Sequence, residues 1–162
     1  MTRRHWLSLL SALGLAPAAG VAISASDPAV KGSPFDLTDA QWKQRLSAPA
    51  YSVLRHEGTE PAGSSPLDRE KRKGTFQCAG CALPLFSSAA KYDSGTGWPS
   101  FYAPLENAVA TKTDFKMILP RTEYHCMRCG GHQGHIFDDG PKPTGKRYCN
   151  NGVALAFTPE AA

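Results

Sequence analysis

Residues 126–152 read CMRCGGHQGHIFDDGPKPTGKRYCNNG, and this stretch decides the fold. It opens on a C-x-x-C pair, and a second pair, Cys78-Ala79-Gly80-Cys81, lies upstream. Such a pair reaches two corners of a zinc tetrahedron from one tight turn, so two pairs predict a structural zinc site. The predicted ligands are Cys78, Cys81, Cys126 and Cys129. The separation of the pairs exceeds the ~15–20 residues of compact zinc ribbons, so we expect the metal to join distant parts of one domain.

Two other interpretations of these cysteines stay open at this point. Disulfide bonds are natural in an exported protein, although disulfide frameworks seldom use matched C-x-x-C units. His132 and His135 closely follow Cys129, and either could replace a cysteine as a metal ligand. That replacement is the weaker interpretation because it would leave a thiol without a role.

Cys149 is the fifth cysteine and has no neighbouring cysteine to pair with. In an extended stretch, Arg147, Cys149 and Asn151 would lie on one face of the chain. A guanidinium beside a thiol lowers the pKa of the thiol, and an asparagine amide can donate to a developing negative oxygen. His132 and His135 lie upstream and could act as acids. An inert buried cysteine is the alternative.

The composition fits one soluble domain with many turns. The chain has 162 residues, with 15 glycines and 13 prolines, which favours short strands over long helices. The formal net charge is +4, and loss of Arg3 and Arg4 with the amino terminus would leave 16 basic against 14 acidic residues. That small excess predicts no nucleic-acid partner.

Residues 1–25 have the layout of an export signal, a basic start followed by an apolar run and small residues. Arg3 and Arg4 resemble the twin-arginine signature, which predicts a cleaved signal and a periplasmic protein. The alternatives are a Sec-type signal and an uncleaved signal that tethers the protein to the membrane. Residues 26–36 are expected to be a linker, and residues 37–158 the functional domain.

Coarse patterning predicts one helix followed by an antiparallel β domain. Residues 37–49 read LTDAQWKQRLSAP, in which Thr38 and Gln41 have the spacing of a capping box and Pro49 is expected to end the helix. The candidate strands are TFQC, a stretch around VATKTDFKMILP, TEYHC and VALAFTP.

The stretch at residues 78–101, CAGCALPLFSSAAKYDSGTGWPSF, together with residues 126–152, resembles the methionine-R-sulfoxide reductases of the B type. The similarity runs from about Leu37 to Phe157. It implies a mainly β fold of two antiparallel sheets with a short N-terminal helical segment and a structural zinc site of four cysteines. It also implies that Cys149 is the nucleophile, which reduces methionine-R-sulfoxide, free or in proteins, and becomes a sulfenic acid.

The resemblance also implies roles for the residues around Cys149. The groups expected around the departing sulfoxide oxygen are His132, His135, Asn151 and, through water, Asp139. Trp98 would present an apolar wall to the substrate methyl group, and Arg147 would hold Cys149 as a thiolate. The division of the acid role between the two histidines stays open.

The chain departs from the family pattern at Thr96, where many members carry a resolving cysteine. We therefore expect an external thiol to reduce Cys149, whether a small thiol, a glutaredoxin or a thioredoxin-like protein, and we expect a monomer. Gln133 and Gly152 also depart from the commoner choices, which are apolar and serine. The rival functions are a zinc-stabilised binding module without catalysis and another cysteine enzyme, a peroxidase or a thiol hydrolase.

Overall fold

The structure is a computed structural model that describes residues 33–116 and 119–161. The predicted export signal at 1–25 and the linker up to residue 32 lie outside the described residues. Within the described part of the chain, every helix is too short or too polar to cross a membrane.

Two helices open the described chain, α1 over Asp39–Arg45 and α2 over Ala48–His56. The predicted capping box is confirmed, since Thr38 Oγ1 accepts from the Gln41 amide and Gln41 Oε1 accepts from the Thr38 amide at 2.8 Å. The expectation that Pro49 ends the helical region is wrong. Pro49 lies in the first turn of α2, where its missing N–H costs no hydrogen bond and Ser47 caps the helix.

Within the described residues, nine strands form two antiparallel sheets, which confirms the predicted mainly β fold. The strands are β1 Gly74–Cys78, β2 Pro84–Ser87, β3 Lys91–Tyr92, β4 Ser100–Phe101, β5 Val109–Asp114, β6 Arg121–Cys126, β7 His132–Phe137, β8 Arg147–Asn150 and β9 Leu155–Pro159. The small sheet has the order β2-β1-β9, and the large sheet has the order β3-β4-β8-β7-β6-β5. Short 3₁₀ helices cover Pro66–Arg69, Ser88–Ala90 and Gly152–Ala154.

The predicted strands are found, with shifted bounds at two of them. β5 stops at Asp114, before the rest of the predicted stretch, and β9 begins at Leu155 because Gly152–Ala154 forms a 3₁₀ turn. β7 and β8 carry no apolar alternation that would predict them, yet they form the centre of the large sheet. Their strand conformation comes from pairing with their neighbours.

The core joins the two sheets through aromatic contacts. Phe86 of the small sheet stacks on Phe101 of the large sheet, with ring centroids 4.1 Å apart. Phe76 of β1 meets the same Phe101 edge-on at 4.9 Å. Burying each such side chain contributes about 1.5–3 kcal/mol, so these rings hold the sheets face to face.

β7 and β8 approach each other closely at Gly134. Gly134 pairs with Asn150, and a Cβ atom at Gly134 would lie 1.9 Å from the carbonyl oxygen of Cys149. Any side chain there would push β7 away from β8. The next register pair, His135 with Cys149, depends on that close approach.

We predict that Gly134→Ala lowers the free energy of unfolding by about 1–3 kcal/mol, because the added methyl group overpacks the β7–β8 contact. Thermal and denaturant unfolding measure the change. Gly80→Ala is the matched control, since its new Cβ atom would meet no atom closer than 3.5 Å. A Gly134→Ala variant as stable as the Gly80→Ala variant would contradict the close approach.

Candidate active site and metal centre

Four buried cysteine sulfurs form one cluster. The ligands predicted from the sequence, Cys78, Cys81, Cys126 and Cys129, have Sγ atoms that all lie within 4.8 Å of one another. In a tetrahedral site with Zn–S bonds of ~2.3 Å, neighbouring sulfurs lie a little under ~4 Å apart. The Cys78–Cys129 and Cys81–Cys126 sulfur separations of 3.6 and 3.4 Å fit that geometry.

The two rival interpretations of these cysteines fit less well. All five cysteines lie within the described residues and are free thiols, and sulfurs 3.4–3.6 Å apart are far beyond the ~2.05 Å of a disulfide bond. The two histidines lie against carboxylates instead, His132 against Glu123 and His135 against Asp114. The neighbouring sulfurs of Cys126 and Cys129 raise the pKa of Cys78, which disfavours its thiolate. A bound cation would allow four thiolates to lie together.

The cluster joins the two sheets, as the long separation of the pairs predicts. Cys78 ends β1 in the small sheet, and Cys126 ends β6 in the large sheet. Four protein ligands leave no open position for substrate, so zinc held here would supply structure and no chemistry at the substrate.

Cys149 lies in the middle of the large sheet, on β8 between β4 and β7. It pairs with Ser100 of β4 on one side and with His135 of β7 on the other. Residues opposed in an antiparallel sheet have Cα atoms ~4.5–5.5 Å apart and side chains on the same face. The fold therefore brings together Cys149 and one of the two predicted histidines.

Cys149 and His135 open into a small cavity of about 140 Å³. Its walls are Thr59, Trp98, Arg121, Gly134, His135, Phe137, Cys149, Asn150 and Asn151. A larger groove of about 710 Å³ is lined by charged residues, and its lining, all within the described chain, includes no cysteine or histidine. The small cavity is therefore the candidate active site, and Trp98 and Phe137 form its apolar walls.

The pKa of Cys149 is raised above its ordinary value because the thiol is buried. Arg147 and a hydrogen bond from Thr96 act in the opposite direction, but burial outweighs them. Arg147 therefore acts in the predicted direction, toward the thiolate, but in the substrate-free site burial keeps the pKa of Cys149 above its ordinary value. Arg147 offsets part of the rise in the pKa of Cys149 that burial causes, and Cys149 rests as a thiol.

Arg147 is held between a carboxylate and an aromatic ring. Its Nε and one terminal nitrogen each donate to Asp139 at 2.8 Å, and its guanidinium lies 4.3 Å from the centroid of Phe137. Asp139 itself is largely exposed. The structure thus brings Asp139 to Arg147, where the carboxylate offsets part of the positive charge that acts on Cys149.

His135 is anchored by a carboxylate to which no sequence motif points. Its Nε2 atom lies 2.8 Å from Asp114 Oδ2, and Arg121 donates to the same oxygen at 2.7 Å. The amide of Lys116, His135 and Arg121 hold the pKa of Asp114 below its usual range. Because that carboxylate is ionised, Nε2 carries the proton of the neutral imidazole, and burial lowers the pKa of His135.

His132 lies beside His135, with ring centroids 5.5 Å apart, but it is not part of the cavity wall. Its Nδ1 atom is 2.9 Å from Glu123 Oε1, and both side chains are almost fully buried. Its Nε2 atom is buried and has no hydrogen-bond partner among the residues that the structure describes. His132 therefore supports the site from behind His135.

Asn151 and Trp98 are fixed by the loop that follows α2. Asn151 Oδ1 accepts from the Glu60 amide at 3.0 Å, and its Nδ2 donates to the Gln133 carbonyl at 3.0 Å. Trp98 Nε1 donates to the Glu60 carbonyl at 3.1 Å. The Glu60 carboxylate in turn accepts from the Gly152 and Val153 amides. Glu60, buried and unpredicted, thus positions two predicted site residues.

The two unusual residues noted in the sequence are accounted for in different ways. A Cβ atom at Gly152 would lie 1.9 Å from Ser65 Oγ, so the Ser65 side chain occupies the space that a residue-152 side chain would need. Gln133 is fully buried and hydrogen-bonded. Thr96 lies close to Cys149, and its hydroxyl also contacts Ser94 Oγ at 2.8 Å.

Sequence reasoning missed Asp114, Arg121, Glu60, Thr59 and Phe137. Each comes from a segment remote from Cys149 in the chain or lacks a pattern of its own. Phe137 had a usable signal in the sequence, because a residue two positions beyond His135 lies on the same face of an extended strand. The structure pairs Phe137 with Arg147.

Comparisons with known proteins agree with this geometry. Residues 46–159 match the SelR domain family. The chain is 51% identical over 124 residues to the peptide methionine sulfoxide reductase MsrB of Thiobacillus denitrificans, covering 76% of this chain and 94% of that protein. It is 48% identical to MsrB of Leptospira interrogans, with 76% and 95% covered. The chloroplastic reductase B1 of Arabidopsis thaliana is 49% identical, with 74% and 59% covered.

The fold thus combines a buried four-cysteine cluster that could hold a metal ion with a separate cavity lined by a cysteine and a histidine on a β scaffold, which is the arrangement of a candidate thiol enzyme. The chain belongs to the SelR-domain family, the peptide methionine sulfoxide reductases of the MsrB type. It is an oxidoreductase that acts on methionine sulfoxide.

We predict that alkylation of Cys149 by iodoacetamide accelerates with pH, with an inflection above the ~8–9 of an ordinary thiol. The thiolate is the nucleophile, and burial favours the thiol. Arg147→Ala moves the inflection to higher pH, and Asp139→Asn, which removes a charge that raises the pKa, moves it lower. Mass spectrometry of the Cys149 peptide follows the reaction. An inflection near neutral pH in the substrate-free protein would contradict this account.

Proposed function

We propose that the protein reduces the R epimer of methionine sulfoxide and that Cys149 is oxidised to a sulfenic acid in the process. The observation that carries this proposal is the direct opposition of Cys149 and His135 inside the cavity. A nucleophile and a proton carrier are thereby placed on the same small substrate. Trp98 and Phe137 line the cavity beside them and provide an apolar surface for the substrate methyl group.

The resting protonation states supply the proton that the reaction needs. Cys149 rests as a thiol, because burial raises its pKa, and His135 rests as a neutral imidazole, because burial lowers its pKa. His135 takes the thiol proton and passes it to the sulfoxide oxygen, while the Cys149 sulfur attacks the substrate sulfur. Arg147 stabilises the transient thiolate.

The products follow from the balance of atoms. The oxygen leaves the substrate sulfur, which is reduced to a thioether, and ends on Cys149 as a sulfenic acid. Two external thiols then restore Cys149, forming one external disulfide and one water. Asp114 holds the His135 ring throughout the reaction. Arg121 holds Asp114 in turn, because it donates to the same carboxylate oxygen that His135 contacts.

The second half of the cycle depends on Thr96. Thr96 lies close to Cys149, and its hydroxyl acts to lower the pKa of the thiol. A hydroxyl cannot form a disulfide, and the other four cysteines are committed to the buried cluster. We assign the reductant to an external thiol, either a small molecule or a glutaredoxin or thioredoxin-like protein.

Two exposed apolar side chains that follow Asp114 in the chain favour a protein-bound substrate. β5 carries Asp114, the anchor of His135, and runs directly into Phe115, which is 75% exposed, while Leu119 nearby in the chain is 76% exposed. Exposed apolar side chains of this size, close in the chain to the residue that anchors His135, favour contact with an unfolded or loosely folded polypeptide. Export to the periplasm, proposed from residues 1–25, would place this repair activity outside the cytoplasm.

We predict that the zinc-loaded protein reduces dabsylated methionine-R-sulfoxide with dithiothreitol and does not reduce the S epimer. Chromatographic separation of sulfoxide and thioether measures both reactions. Cys149→Ser abolishes turnover, and His135→Ala lowers kcat by about 10²–10⁴, the usual contribution of a positioned proton carrier. Turnover by Cys149→Ser, or equal rates with both epimers, would refute the proposed function. A binding module would survive either substitution.

We predict that one turnover without reductant leaves Cys149 without a disulfide partner. In the Thr96→Cys variant the same turnover is expected to create one disulfide to Cys149, since residue 96 lies close to Cys149. Non-reducing peptide mapping distinguishes the two proteins, with metal content measured in parallel. An intramolecular disulfide to Cys149 in the unsubstituted protein, with zinc retained, would contradict an external reductant.

A further inference from the structure

A fully buried glutamine connects the metal cluster to the active-site strand. Gln133 lies on β7 with no exposed surface, and its Nε2 atom donates to Cys78 Sγ at 3.4 Å. The same nitrogen lies 3.5 Å from the Gly131 carbonyl. Nothing in the chemistry at Cys149 uses this side-chain amide.

The contact with Cys78 is the end of a longer chain of hydrogen bonds. Asn150 Nδ2 donates to Gln133 Oε1 at 3.3 Å, and Tyr124 donates through its hydroxyl to Asn150 Oδ1 at 2.7 Å. Tyr124, Gln133 and Asn150 are all completely buried. Asn150 is the residue after Cys149 and belongs to β8. The chain therefore runs from the centre of the large sheet to a cysteine of the small sheet.

Every donor in this chain points toward the sulfur. The Tyr124 hydroxyl is the donor of its hydrogen bond, because the amide oxygen of Asn150 can only accept. The Asn150 amide nitrogen also donates to the Asn151 carbonyl at 2.8 Å, which fixes the orientation of that amide. The orientation of Gln133 follows, because the opposite orientation would set its nitrogen against the Asn150 donor and its oxygen against the sulfur. Hydrogen bonds aligned in this way polarise one another.

The direction matches the charge of a metal-loaded cluster. Zinc bound by four thiolates carries two negative charges in excess, and burying such a charge is costly unless donors face it. Partners of metal ligands orient those ligands and tune metal affinity. We propose that Gln133 is a positioning residue for the zinc site and that the Tyr124–Asn150–Gln133 chain ties the bound metal to β8. The inference depends on zinc being the resident metal and is independent of the reductase reaction.

The hydrogen-bond chain reaches β8 at Asn150, the residue that follows Cys149. The backbone N–H of Asn150 donates to the Pro99 carbonyl at 2.9 Å, so Asn150 is fixed by both its backbone and its side chain. Loss of metal would leave Gln133 without the anion that its amide faces. The position of β8 then becomes sensitive to metal occupancy, although Asn150 touches none of the four cysteines directly.

The test measures zinc release from the zinc-loaded full chain to a chromogenic chelator in excess. Gln133→Leu should release zinc about 10–100-fold faster, as expected for loss of a partner to a metal ligand. Asn150→Val should accelerate release by a smaller factor, since it acts through Gln133. Leu85→Val, a conservative change in the core of the small sheet, is the control and should release zinc at the unsubstituted rate.

A second measurement separates this role from general loosening. In the cobalt-substituted protein, Gln133→Leu should shift the sulfur-to-cobalt charge-transfer band to lower energy, because the Cys78 sulfur loses a donor. The control should leave the band in place. The double substitution Gln133→Leu with Asn150→Val replaces both amides by apolar groups, which spares folding from an unpaired amide and should keep the shift.

Two results would overturn the proposal. If Gln133→Leu has the unsubstituted release rate and band, the amide does not support the metal site. If Asn150→Val has the unsubstituted release rate, the metal is not tied to β8. Neither measurement involves methionine sulfoxide, so a failure here is distinguishable from a failure of the proposed activity.

Discussion

The placement of β8 between β4 and β7 is the constraint on which the active site depends. It sets Cys149 directly opposite His135, with Ser100 on the other side. The close approach that allows this register requires Gly134, since a side chain there would collide with the Cys149 carbonyl. A shift by one residue would turn Cys149 to the opposite face of the sheet and separate it from the cavity.

The chemistry depends on a balance between burial and charge at Cys149. Burial raises the pKa of the thiol more than Arg147 lowers it, and Asp139 offsets part of the Arg147 charge. A buried thiol resists adventitious oxidation, because the thiolate is the reactive form. In the proposed reaction, attack begins only when a sulfoxide oxygen is present to receive the proton through His135. The buried environment of the nucleophile thus links reactivity to the presence of substrate.

The sequence sufficed where a pattern carries its own chemistry. The spacing of the C-x-x-C pairs predicted the four-cysteine cluster, and the motif around Cys149 predicted a residue that lines the candidate cavity. The anchor of His135 could not be predicted, because Asp114 reaches it only through the strand order β5-β6-β7. Pairing between strands is a long-range property that no local pattern encodes. The same limit applies to the pKa of Cys149, since Arg147 is visible in the sequence and burial is not.

The most direct test of the account is a single turnover with methionine-R-sulfoxide, without reductant, in the presence of dimedone. The account predicts one dimedone adduct per chain, located by peptide mapping on Cys149, with zinc retained by the other four cysteines. Formation of methionine without an adduct on Cys149, or an adduct on a cysteine of the buried cluster, would contradict it.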